Sequence, residues 1–78
     1  MKHKKKVPTT TRALVQRINR RLRDQDEILK TPRGSARYEL GDYYVLNVSR
    51  NYIVEKDVDP EKFGRKLAVL QDWEALAD

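Results

Sequence analysis

Cysteine is absent from the 78 residues, and histidine occurs once, as His3. Without thiols there is neither a disulfide framework nor a thiolate metal site, so the fold must rest on core packing and nothing marks an oxidising compartment. The one histidine sits in a basic arm with no second ligand near it, which argues against a metal role, and with no cysteine and the histidine in a flexible arm no Ser-His or Cys-His dyad is expected. Neither Ser35 nor Ser49 has a recognisable base nearby in sequence. The sequence predicts no enzyme, no catalytic residue, no cofactor and no metal. Long apolar runs are also missing. The opening Met1-Lys-His-Lys-Lys-Lys-Val-Pro has the positive start of a secretory signal without the apolar run that must follow, and nothing approaches a membrane span. The expectation is a soluble, cytoplasmic protein without membrane contact.

Acids are absent from the first 23 residues. That stretch carries Lys2, Lys4, Lys5, Lys6, Arg12, Arg17, Arg20, Arg21 and Arg23, a charge of +9, and leaves eight bases and twelve acids, a net −4, for the remainder. Such asymmetry points to a polyanion partner for the basic half or to pairing between the halves. A chain of this length forms one domain whose core supplies only about 3–5 kcal/mol, which leaves a homodimer open.

The organising stretch runs from Tyr43 to Val58. It is dense in β-branched residues and tyrosine, and Ser49-Arg50-Asn51 interrupts it where a tight turn would sit, which predicts a hairpin. Tyr43 to Val48 is apolar on both faces and reads as a central strand; Tyr52 to Lys56 reads as nearer an edge. Residues 1–8 form a mobile basic arm in this reading, and residues 9–78 the domain. From Thr10 or Thr11, Leu14, Ile18 and Leu22 recur at helical spacing with Val15 beside them, the threonines serve as caps, and the arginines occupy the rest of the surface. Glu27 to Thr31 is a candidate first strand, followed by a turn at Thr31-Pro32-Arg33-Gly34; Ser35 to Leu40 fits either a helical turn with a serine cap or a lead-in to the next strand, and an extended or irregular connection is the favoured reading. Asp59-Pro60-Glu61 supplies a helix start, continued by Phe63, Leu67 and Leu70. Gly64 inside it implies a close neighbour or a short helix. Asp72 is positioned to cap a final turn that buries Trp73 against the sheet or a partner.

Alternative uses of these residues are weighed on chemistry. Asp57, Asp59 and Glu61 lack the glycine and spacing of a calcium loop and serve better as a helix cap. Tyr38, Tyr43, Tyr44 and Tyr52 suggest a stacking platform for bases, but adjacent Tyr43 and Tyr44 must point to opposite faces of a strand, so packing is the better account. Arg50 at the hairpin tip has the reach to enter a groove or is a plain turn residue. The arginine face of the first helix is open to two readings, phosphate contact or internal pairing with the acidic half.

The order helix, strands, helix is similar to the layout of double-stranded RNA-binding domains. That family holds phosphates with a basic cluster at the start of its second helix, where this chain has Asp59-Pro60-Glu61, so the likeness is one of layout alone. The blocks Arg12-Ala-Leu-Val-Gln-Arg-Ile-Asn-Arg, Leu40-Gly-Asp-Tyr-Tyr-Val-Leu-Asn-Val-Ser-Arg-Asn-Tyr-Ile-Val and Gly64-Arg-Lys-Leu-Ala-Val-Leu resemble those of small uncharacterised bacterial proteins. The resemblance implies a bacterial origin and carries no assigned function.

The sequence therefore predicts an α+β domain in which an N-terminal basic helix and a C-terminal helix pack on a two- or three-stranded antiparallel sheet, in the order α-β-β-β-α. Its expected role is that of a small non-enzymatic accessory protein holding nucleic acid. Lys4, Lys5 and Lys6 form the arm, and Arg12, Arg17, Arg20, Arg21, Arg23 and Arg50 are the phosphate contacts. The alternative is a protein-interaction module, such as a regulator or inhibitor, that meets an acidic protein surface or anchors a partner through Trp73.

Overall fold

The computed structural model describes residues 7–77. Lys4, Lys5 and Lys6 of the expected arm lie outside the described residues, as does His3. The sequence boundary at residue 8 falls inside the first strand, β1 (Val7–Thr9). Thr10 then caps helix α1 (Thr11–Leu22), its backbone extended and its hydroxyl accepting from the Ala13 N–H at 3.1 Å. Arg20 and Arg21 in the last turn suit the negative end of the helix dipole. A 3-10 turn over Arg23–Gln25 and a left-handed Asp26 close the helix and turn the chain into β2 (Glu27–Lys30).

The predicted hairpin is present as β3 (Tyr44–Asn47) and β4 (Tyr52–Glu55). With β2 it makes an antiparallel sheet in the order β2-β3-β4, with Leu29 opposite Val45 and Leu46 opposite Ile53. These three strands lie within the stretches that the sequence assigned to them, Glu27 to Thr31, Tyr43 to Val48 and Tyr52 to Lys56. The hairpin turn is held by a side chain: buried Asn47 accepts from Ser49 Oγ (3.1 Å) and Arg50 N–H (2.8 Å) on its Oδ1. Asn51 takes the positive φ of 58° that asparagine tolerates.

Helix α3 (Pro60–Lys66) starts as the sequence predicts, with Asp59 Oδ1 accepting from Glu61 N–H at 2.9 Å and Pro60 in the first turn. It ends earlier than the apolar spacing suggests. Ala68 adopts φ 62° and the N–H groups of Val69 and Leu70 return to Gly64 O at 2.9 and 3.2 Å, a left-handed termination of the helix. Gly64 fulfils both sequence expectations, since the helix is short and a Cβ there would stand 2.7 Å from Leu14 Cδ1 and 3.3 Å from Leu70 Cβ. The core is Leu14, Ile18 and Leu22 of α1 against Leu29, Val45, Val58 and Leu70.

Three expectations need correction. The order α-β-β-β-α omits β1 and β5 (Glu74–Leu76), which pair in parallel as a second, two-stranded sheet, Val7 opposite Glu74 and Thr9 opposite Leu76. Strand pairing across nearly the whole chain leaves no local periodicity to read. Residues 35–40 are not an extended connection: a 3-10 turn (Gly34–Ala36) runs into a one-turn helix, α2 (Arg37–Leu40), and residues 31–33 lead into it without a turn. Finally, Trp73 is 62% exposed rather than buried, because the Gln71–Glu74 turn is held by polar contacts and needs no indole beneath it. Among the described residues, no helix is long and apolar enough to cross a membrane.

Candidate functional site

The α1 arginines do not form one continuous face. At about 100° per residue, Arg17, Arg20, Arg21 and Asp24 fall on one flank of the apolar stripe, whereas Arg12 and Arg23 fall on the other side of the helix. The C-terminal segment packs beside the first flank. There Arg17, Arg20, Arg21 and Asp24 face Val69, Gln71, Trp73 and Glu74 across an open cleft of about 520 Å³.

Glu74 anchors this arrangement. Its side chain is buried to all but 10% and accepts on Oε1 from Arg17 Nη1 (2.9 Å) and the Gln71 N–H (2.9 Å). On Oε2 it accepts from Arg17 Nη1 (3.0 Å) and Thr9 Oγ1 (3.2 Å). The Gln71 N–H, then the Arg17 hydrogen bond and charge, with Thr9 as a smaller contribution, hold the carboxyl below the usual glutamate range, against the opposing effect of burial. Arg17 Nη1 also donates to Val69 O at 3.1 Å. Arg65 secures the far side of the same segment, donating from Nη1 to Gln71 O and from Nη2 to Glu74 O, each at 3.0 Å. Two guanidiniums from two helices thus fix residues 69–74, and Val7 N–H donates to Trp73 O at 2.7 Å from the strand side.

The cleft separates the predicted contacts by role. Arg17 is committed to Glu74 and Val69 O, so among the described residues of the predicted set internal pairing of the two charged halves holds at this one. Arg20 and Arg21 are exposed, and among the described residues neither forms an ion pair. Asp24 lines the cleft with them, so once the Arg17–Glu74 pair is set aside two cations face one anion. Trp73 joins the arginines here, a juxtaposition that their separation in sequence hides. Arg12 is exposed on the first turn of α1, Arg23 lines a separate cleft with Asn19, Asp26 and Val48, and Arg50 is exposed at the hairpin tip. The tyrosines are likewise dispersed: Tyr43 packs on the core, Tyr44 lies opposite Lys30, Tyr52 is on the edge strand and Tyr38 is 92% exposed.

Sequence reasoning missed Thr9, Arg65 and Glu74. The Thr9–Glu74 contact spans 65 residues, and no local pattern in the sequence marks it. No family model, curated protein or solved structure matches the chain. The resemblance to small bacterial proteins therefore rests on the sequence blocks alone.

Proposed function

We propose that this chain is a small, non-enzymatic bacterial accessory protein of the cytoplasm that binds nucleic acid through the exposed flank of α1. The observation that carries the reading is the placement of Arg20 and Arg21, exposed and with no ion pair to a described residue, at one open cleft with an exposed tryptophan. Guanidiniums contact phosphate bidentately and without reference to base sequence, and the lysines at residues 4–6 add charge of the same kind. Arg12, Arg23 and Arg50 are outlying contacts in this reading, and Arg17 supports the cleft wall.

The test is the salt dependence of binding to labelled oligonucleotides by fluorescence anisotropy. On duplex DNA, each neutralised phosphate contributes about 0.9 to the log–log slope. Replacing Arg20 and Arg21 by glutamine should flatten the slope by roughly 2 in those terms. A slope near zero for the unaltered protein would refute the proposal.

The exposure of Trp73 favours a second reading, in which the cleft receives an acidic protein surface with the indole as anchor. Under that reading a Trp73→Ala variant loses the protein partner and the unaltered chain retains no nucleic acid at low salt.

A further inference from the structure

The exposure of Trp73 is unusual for so large an aromatic, and it is not the exposure of a loose tail. Gln71, two positions before it in the turn, and Glu74, the residue after it, each have their carbonyl hydrogen-bonded by Arg65, and the Glu74 carboxylate is held by Thr9, Arg17 and Gln71. Its own carbonyl is taken by Val7. The indole is therefore carried on a backbone that is already ordered, so a ligand meeting it pays little to organise the segment.

The cleft's size and chemistry limit what that ligand can be. A volume of about 520 Å³ suits a group on the scale of a nucleotide. Arg20 and Arg21 on one wall offer donors to phosphate, while the indole on the other offers a flat face to a flat ring. In a duplex both faces of every base are covered by neighbours, so such a wall finds only phosphates there. In a single strand the bases can splay out and stack on an aromatic side chain.

Resting on the nucleic-acid reading above, we infer that the cleft takes one nucleotide of a single strand, its base stacked on Trp73 and its adjoining phosphates on Arg20 and Arg21. Single strands are then preferred to duplex. Arg17 is a positioning residue that holds the turn carrying the indole.

Trp73 is the one tryptophan in the chain, so intrinsic fluorescence reports on the proposed contact directly. The experiment titrates the full chain with short labelled oligothymidylate, oligouridylate and a DNA duplex at matched salt, following anisotropy and tryptophan emission together. The expected result is quenching that saturates in step with anisotropy for the single strands. Trp73→Ala should cost about tenfold in single-strand affinity and little for the duplex, while Trp73→Phe restores most of the loss. The Trp73→Ala variant should unfold at the same temperature as the parent, since the side chain it removes is exposed.

Equal binding of duplex and single strand, or single-strand binding unaffected by Trp73→Ala, would overturn the stacking inference and leave the arginine-flank reading standing. Binding of neither nucleic acid, with quenching by a polyglutamate peptide instead, would overturn both in favour of an acidic protein partner.

Discussion

Arg17 Nη1 stands 2.9 Å from one carboxylate oxygen of Glu74 and 3.0 Å from the other, joining the basic first helix to the acidic last strand across 57 residues. The pair does more than neutralise charge, because the same guanidinium nitrogen reaches Val69 O and the same carboxylate caps the Gln71 N–H. It ties α1, the segment that follows α3 and the β1-β5 sheet into one polar cluster at the rim of the core.

The two members should therefore be energetically coupled. Arg17→Gln leaves a largely buried carboxylate without its cation, and Glu74→Gln leaves the guanidinium without its counter-charge, so each alone lowers the denaturation midpoint. The double variant should lose less than the two single losses together. Urea denaturation of all four proteins checks this, and strict additivity would show that the pair is not coupled.

Acid should unfold the protein partly through Glu74. Its folded-state pKa is depressed, so its contribution is present above the unfolded glutamate value of about 4.3 and is lost as pH falls through the lower folded value. Thermal melts between neutral pH and pH about 3 should show a steeper acid decline for the parent than for Glu74→Gln. Parallel declines would place the acid sensitivity elsewhere.

The crossing of α1 and α3 depends on a missing methyl group. Gly64→Ala gains roughly 1 kcal/mol of helix propensity but sets a Cβ 2.7 Å from Leu14 Cδ1, so that fully buried side chain must shift within the core to make room. Overpacking of this kind costs about 1–3 kcal/mol, so the variant should be less stable than the parent. Leu14→Ala alone should cost about 2–5 kcal/mol. In that background the penalty of Gly64→Ala should shrink, because the Leu14 clash is gone, the propensity remains and only the 3.3 Å approach to Leu70 Cβ is left. Calorimetry of the four combinations reads the change, and an undiminished penalty would place the strain elsewhere.

Asn19 closes an edge of the three-stranded sheet. Its Oδ1 accepts from Leu29 N–H at 2.7 Å and its Nδ2 donates to Leu29 O at 3.4 Å, so the backbone groups of Leu29 are satisfied by α1 rather than by another strand. Asn19→Leu keeps the bulk and removes both bonds, leaving a backbone donor of a buried residue unsatisfied, at a cost of about 1–3 kcal/mol. Amide exchange at Leu29 should accelerate in the variant, while exchange at Val45 follows only the global stability.

Substitution of the arginines should separate structure from contact. Arg17→Gln should lower stability more than it changes the salt slope of binding, whereas Arg20→Gln with Arg21→Gln should do the reverse. Melting temperature and binding slope measured on the same preparations test the division.

What the sequence determined by itself is what short-range physics controls. The Leu14, Ile18 and Leu22 spacing, the β-branched runs on either side of Ser49-Arg50-Asn51 and the Asp59-Pro60 cap each act within a few residues, so α1, the hairpin and the start of α3 were legible. The exposure of Arg12, Arg20, Arg21 and Arg23 was legible too, since charge resists burial wherever it falls. Tertiary structure alone decided the pairing of β1 with β5, the partner of Arg17 and the meeting of Trp73 with Arg20 and Arg21. Each joins segments about 50 residues or more apart, where one arginine looks like its neighbours until the fold brings a carboxylate to it. A three-residue strand has no periodicity of its own and exists because its partner is there. The same holds for the indole, whose exposure follows from a polar cluster that satisfies the turn beneath it without needing an apolar cover.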